Sequence, residues 1–159
     1  MNRYLIMSAS LAALAIAFIP GCGSDDDGVS CEGTQVDCNG TCIDAIPATL
    51  EGVSTQVFQK TCAYGTCHDA DSPAAGLSVH DIDSIIAAID TPSGQEPSVM
   101  LIAPNDSANS YIYRKMIGEN MAATDVNGNA GTIMPPGSAL CAPKVEAVRA
   151  WIDAGALTE

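Results

Sequence analysis

Residues 61–68 read TCAYGTCH, so that Cys67 stands directly before His68 and Cys62 stands five positions before Cys67. The whole chain contains only two histidines. Thiolate sulfur and imidazole nitrogen are side-chain donors that transition metals favour. Because three such donors lie in one short stretch, we expect the chemistry of the chain there.

The stretch is close to Cys-x-x-Cys-His, the sequence at which c-type haem is attached. In that sequence two thiols bond to the vinyl groups of the porphyrin, and the adjacent imidazole occupies an axial position on iron. Four residues instead of two separate the cysteines here, although Gly65 allows the longer spacer to bulge. The stretch therefore predicts thioethers at Cys62 and Cys67 and iron ligation by His68. If only one thioether forms, we expect it at Cys67.

A second axial ligand has to come from elsewhere in the chain, and methionine is common in electron-transfer cytochromes. Met134 is the best candidate, because the two prolines that follow it restrict its backbone. Met116 belongs to a helical face and is predicted to lie in the core. Met100 and Met121 have no comparable local stiffening.

The N-terminus predicts export and lipidation. Residues 1–21 form a weakly basic start and an apolar run, typical of a signal peptide and too short to span a membrane comfortably. Gly21-Cys22 resembles the lipobox of bacterial lipoproteins, in which the cysteine is lipidated and becomes the new N-terminus. Gly23 then favours the outer membrane, and neither the periplasmic nor the surface side is indicated. The alternative is an ordinary signal peptide, with Cys22 as a spare thiol.

Acidity argues against a nucleic-acid partner. Cleavage before Cys22 removes Arg3 and no acidic residue, so that five basic residues face 19 acidic ones and the net charge falls from −13 to −14. A redox partner protein with a basic face fits this charge. An acidic surface also keeps an exported protein soluble, so charge alone indicates no function.

Seven cysteines in an exported chain indicate an oxidising compartment. We expect residues 22–30 to form a flexible acidic tether and residues 31–45 to form a disulfide-rich loop module, with a tight turn at Asn39-Gly40. The module has an odd number of cysteines, which indicates that Cys141 closes onto it. The cysteines of the module are Cys31, Cys38 and Cys42.

Residues 46–159 show four helical patterns and no competing strand pattern, which predicts an all-α domain. Asp81 is the predicted N-cap of the second helix, Gly118 ends the third, and Pro143 and Gly155 bound the fourth. Large side chains are few, so a buried porphyrin would help to fill the centre; the alternative is a small aliphatic core. The repeated apolar positions are Val53, Val57, Phe58 and Thr61, then Ile82, Ile85, Ile86 and Ile89, then Ile112, Tyr113, Met116 and Ile117, then Val145, Val148, Trp151 and Ile152.

Five segments resemble, in order and spacing, small class I cytochrome c-like domains of bacterial exported lipoproteins, and the likeness spans roughly residues 50–159. The segments are residues 62–68, PAAGL at 73–77, SYIYRKM at 110–116, IMPPG at 133–137 and VRAWIDAGA at 148–156.

This resemblance implies a small helical domain in which the first helix packs against the last. It implies one haem c with iron that changes oxidation state, thioethers at the two cysteines of residues 62–68, and His68 and Met134 as axial ligands. It also implies that the Pro73 carbonyl holds the other imidazole nitrogen, and that Arg114 or Tyr111 contacts a propionate.

The same residues also allow haem-free interpretations. Cys62 and Cys67 could form a local disulfide, which would leave a structural or partner-binding lipoprotein. A zinc site from these cysteines, His68 and Cys141 is possible by number, and His80 could replace Met134, although it more naturally lies at a helix start. No catalytic triad, phosphate-binding loop or carboxylate pair is found. We therefore expect a single-electron carrier at the membrane surface, and not an enzyme.

Overall fold

The computed structural model describes residues 29–65, 67–71, 73–121 and 131–159. The expected signal peptide, the lipidated Cys22 and most of the tether lie outside the described residues. Within the described part of the chain, no helix has the length and apolarity needed to cross a membrane.

The cysteine module is a β-hairpin. Strand β1, Gln35–Cys38, pairs antiparallel with strand β2, Thr41–Asp44. The expected turn at Asn39-Gly40 is confirmed, and its two residues have φ of 53° and 84°, as the two-residue turns that suit hairpins require. The prediction of an all-α fold is therefore wrong, because the described chain combines helices with a two-stranded sheet.

Two disulfides hold this hairpin. Cys31 is bonded to Cys42 across the module, with Cα atoms 5.6 Å apart. Cys38 is bonded to Cys141, 103 positions later, with Cα atoms 5.0 Å apart. The expected closure of Cys141 onto the module is thus confirmed, and it ties the hairpin to the start of the last helix.

Within the described residues, four helical segments make up the rest of the regular structure. The first, α1, runs as an α-helical turn Leu50–Val53, a π-helical turn Ser54–Phe58 and an α-helical end Gln59–Thr61. The others are α2 at Ile82–Ala88, α3 at Tyr111–Ile117 and α4 at Ala142–Asp153. Short 3₁₀ turns lie at Ala74–Gly76 and Ser107–Asn109.

The helix ends follow the expected signals. The Asp81 carboxylate accepts a hydrogen bond from the Ser84 N–H at 2.8 Å and caps α2. Gly118 ends α3 with φ of 74°, and Pro143 lies in the first turn of α4. On α2 the inward face differs from the expectation, since Ile86 is 38% exposed and Ala88 is buried.

The core lies between α1 and α4, as the resemblance implies. Phe58 and Trp151 meet edge to face with ring centroids 6.5 Å apart. Aliphatic side chains with no exposed surface surround them, which confirms the periodicity of both helices. These side chains are Val53, Val57, Ile85, Ile102, Val148 and Ile152.

Candidate functional site

A cavity of about 240 Å³ lies beside this core, between the end of α1, the loops on either side of α2, and α3. Its volume is slightly below the range of about 300–1,000 Å³ common for small-molecule sites. Most of its wall is apolar, and the apolar lining includes Ala74, Leu77, Val79, Leu101, Ile112 and Met116. Three of the four residues predicted to hold a cofactor, Cys62, His68 and Met134, also line it.

His68 is fixed by its backbone and by its ring. Its N–H donates to the carbonyl of Cys62 at 3.1 Å, and its own carbonyl accepts from the Val79 N–H at 2.9 Å. Its Nδ1 lies 2.9 Å from the Leu77 carbonyl oxygen. Since a carbonyl oxygen only accepts, Nδ1 carries the proton, and the neutral ring has its lone pair on Nε2.

The resemblance implied that the Pro73 carbonyl holds this ring, and that expectation is wrong. Pro73 instead faces His68 in a short antiparallel bridge, in which the Ala74 N–H donates to the Cys67 carbonyl at 2.8 Å. A 3₁₀ turn at Ala74–Gly76 follows. The carbonyl that reaches the ring therefore belongs to Leu77.

The two cysteines have different surroundings. Cys62 ends α1 as a half-buried residue on the cavity wall, whereas Cys67 is exposed and does not line the cavity. Burial raises the pKa of the Cys62 thiol, while a hydrogen bond with Thr61 and the charge of Lys144 act in the opposite direction. Both thiols are free, so the local disulfide is not formed. Of the two cysteines, Cys62 is thus the one at the cavity, whereas the spacer led us to expect a single thioether at Cys67.

Met134 reaches the cavity from the loop before α4. Its N–H donates to the Lys115 carbonyl at 2.8 Å, which attaches this loop to α3. Met116 is 3% exposed and belongs to the core, as predicted, although it also contributes to the cavity wall. Met100 is 39% exposed and does not line the cavity.

The sequence analysis did not identify Lys115 as a cavity residue, and it named Tyr111 only as one of two alternatives. Lys115 and Tyr111 lie one turn apart on α3, both line the cavity, and they are 6% and 3% exposed. Arg114, the other candidate for a propionate, does not line it and donates instead to the Ala108 carbonyl and the Asn109 side chain. The spacing was the signal that could have identified Lys115. It lies four positions after Tyr111, beside the apolar face of the same helix.

The alternative ligands lie elsewhere. His80 is exposed at the start of α2, where its Nε2 is 2.9 Å from an Asp81 carboxylate oxygen, so its expected place at a helix start is confirmed. Cys141 is committed to a disulfide and is unavailable for zinc. Among residues 29–65, 67–71, 73–121 and 131–159, no group of three His, Cys, Asp or Glu side chains is placed to hold a metal ion.

Comparison of the chain with protein-family models, with curated proteins and with solved structures finds no match. The chemistry of the cavity therefore has to be argued from its own residues.

Proposed function

We propose that the chain binds one c-type haem in this cavity and carries single electrons. One observation carries the proposal. Cys62 and His68, at the end of α1 and in the loop after it, line the same apolar cavity as Met134, which lies in the loop before α4. Imidazole, thioether and thiol are side chains by which c-type haem is ligated and attached in electron-transfer cytochromes.

The hydrogen bond of His68 supports its role as the proximal ligand. Histidines that bind metals usually donate their other ring N–H to a carbonyl or carboxylate, which fixes the tautomer and the ring orientation. The Leu77 carbonyl does this for Nδ1 of His68. Nε2 is thereby the nitrogen that remains to bind iron.

The apolar character of the cavity wall suits a porphyrin ring. Its aliphatic side chains match an apolar ring, and a dry environment around a haem is one of the means by which proteins set its potential. The cavity measures about 240 Å³, below the usual range of small-molecule sites, so a bound porphyrin would not be enclosed completely.

When bound, haem supplies a reversible one-electron couple. The chain contributes the ligands and their fixed positions: His68 is held by three hydrogen bonds, and Met134 is attached to α3 through the Lys115 carbonyl. If His68 and Met134 both bound the iron, they would leave no position for a substrate, so we propose electron transfer without enzymatic activity.

The setting that we propose is the cell envelope. An exported chain with its disulfides in an oxidising compartment, held to the membrane by a lipid on Cys22, would meet a redox partner protein there. The net charge of −14 after signal cleavage favours a partner with a basic face and disfavours nucleic acid.

Production of the chain in a bacterial host that has haem-attachment machinery tests the proposal. After denaturation, haem should remain on the polypeptide, and a variant with both Cys62→Ala and Cys67→Ala should carry none. A colourless wild-type chain, with the two thiols paired to each other, would instead support the haem-free lipoprotein.

A further inference from the structure

The turn of the hairpin contains an acceptor sequence for N-linked glycosylation. Residues 39–41 read NGT, and Asn-x-Ser/Thr, with any residue except proline at x, is the sequence at which a saccharide is attached to asparagine in exported proteins. The same pattern occurs at one other place in the chain, residues 105–107, which read NDS. Because the pattern is short, the structure has to show which of the two asparagines is available.

The first acceptor sequence lies at the tip of the hairpin. Asn39 and Gly40 form the turn, Thr41 begins β2, and all three residues are exposed. A Cβ atom built on Gly40 would lie more than 4 Å from every atom of the described residues beyond its two neighbours, so the space beside the turn is open. Among the described residues, neither the Asn39 carboxamide nor the Thr41 hydroxyl has a hydrogen-bond partner.

The turn is held without the side chain of Asn39. The Asp37 carboxylate accepts a hydrogen bond from the Gly40 N–H at 2.8 Å. Asn39 has a φ of 53°, a left-handed conformation that asparagine tolerates better than most residues. The geometry of the turn thus explains why Asn39 and Gly40 are present. It requires no hydroxyl at position 41, and it leaves Nδ2 of Asn39 exposed to solvent.

The fold buries part of the second acceptor sequence. Ser107 is 7% exposed, and its N–H donates to an Asp153 carboxylate oxygen at 3.0 Å. The backbone of Asn105 is held as well, since its N–H donates to the Ile152 carbonyl at 2.9 Å. An enzyme that recognises the asparagine together with the hydroxyl residue therefore cannot reach both in the folded chain. Only residues 39–41 offer the complete sequence at the surface.

We propose that Asn39 is an N-glycosylation site of the exported chain. The saccharide donor is an oligosaccharide that is linked to a lipid through pyrophosphate. A bond forms between Nδ2 of Asn39 and the anomeric carbon, and the bond from this carbon to the pyrophosphate oxygen breaks. The lipid pyrophosphate leaves with the electron pair, Nδ2 loses one proton, and nothing is oxidised or reduced.

This site goes beyond the proposed haem binding and does not depend on it. No described residue of the hairpin lines the cavity. A saccharide is bulky and solubilising, and at Asn39 it would extend from the tip of the hairpin into solvent.

Production of the full chain in a bacterial host that has an oligosaccharyltransferase and lipid-linked oligosaccharide tests the inference. Mass spectrometry of the exported wild type should find one oligosaccharide, on the peptide that contains Asn39. Thr41→Ala and Asn39→Gly should lose it, because each removes one required residue of the acceptor sequence. Thr41→Ser should keep it, and Asn105→Gln should leave it unchanged.

The inference is overturned if the chain is not exported, or if it stays unmodified while a co-produced acceptor protein is glycosylated. A saccharide on Asn105, or one that persists in Thr41→Ala, would overturn it as well. Asn39→Gly keeps a residue that suits the left-handed turn, so a folding defect does not explain the loss of the saccharide. Haem content of the same samples is a separate measurement, and the two proposals can therefore fail independently.

Discussion

The Nδ1 atom of His68 lies 2.9 Å from the carbonyl oxygen of Leu77, nine positions later in the chain. This hydrogen bond leaves Nε2 as the unprotonated nitrogen of the neutral ring, on a residue that lines an apolar cavity. The orientation of the imidazole is therefore set by the loop between α1 and α2.

Replacement of His68 should remove the proximal ligand. We expect His68→Gly to lose the absorption of six-coordinate haem, and added imidazole to restore much of it by filling the space of the ring. His80→Gly is the matched control, because His80 is exposed at the start of α2 and should leave the spectrum unchanged. An unaltered spectrum in His68→Gly would show that iron is held elsewhere.

Replacement of Met134 should alter the other axial position. Met134→Ala should lower the reduction potential and abolish the absorption of the Met-to-iron bond, because thioether ligation favours the reduced iron. Met100→Ala should do neither, since Met100 is 39% exposed and outside the cavity wall. If both variants retain the wild-type spectrum and potential, Met116 is the next methionine to test, as it also lines the cavity.

Local patterns were enough to predict the helices. Val53, Val57 and Phe58 on α1, and Val148 and Trp151 on α4, are fully or almost fully buried, because helical spacing puts such residues on one face whatever the tertiary context. The hairpin escaped prediction for the opposite reason. Its strands have four residues each, too short for an alternating pattern to be recognised, and the Asn39-Gly40 turn alone was assigned to a loop.

Only the residues of the cavity whose side chains have a distinctive chemistry could be predicted from the sequence. Cys62, His68 and Met134 could be selected from their side-chain types and their neighbours in the sequence, and all three line the cavity. The Leu77 carbonyl could not be found in this way, because every residue has a carbonyl and only the backbone path selects one. Lys115 was missed because a lysine on a helix is ordinarily assigned to solvent.

Removal of the long-range disulfide should destabilise the fold more than removal of the local one. Cys38→Ser with Cys141→Ser opens a loop of 103 positions, and the chain-entropy model gives about 4–5 kcal/mol for such a loop. Cys31→Ser with Cys42→Ser opens a loop of 11 positions, for which the same model gives about 3 kcal/mol. Denaturant unfolding of the two double variants measures the difference. Equal losses of unfolding free energy in the two double variants would contradict the order that the chain-entropy model predicts.

The cap of α2 should make stability depend on acid pH. Hydrogen bonds from the Ser84 side chain and N–H hold the pKa of the Asp81 carboxyl below its usual range. A group with a lowered folded pKa stabilises the fold above its unfolded pKa, and this contribution is lost as the pH falls through the folded pKa. Asp81→Ala should therefore melt below the wild type at pH 7, and the gap should shrink near about pH 2.

Asp81→Asn is the matched variant for that experiment. Asparagine keeps an acceptor oxygen for the Ser84 N–H and caps helices about as well as aspartate, but it does not titrate. Its melting temperature should stay close to that of the wild type at pH 7. A gap between wild type and Asp81→Ala that stays constant from neutral to acid pH would rule out the carboxylate as the titrating group.

The unequal placement of the two thiols predicts unequal attachment. Cys62 lies on the cavity wall and Cys67 is exposed outside it. Cys67→Ala should therefore retain haem through denaturation, whereas Cys62→Ala should lose most of it. Mass spectrometry of the denatured chains measures the retained haem, and the haem absorption in alkaline pyridine counts the vinyl groups that have reacted. Equal retention in the two variants would show that the loop between the cysteines rearranges when haem binds and brings Cys67 to the ring, in which case the spacer of four residues is long enough for both bonds.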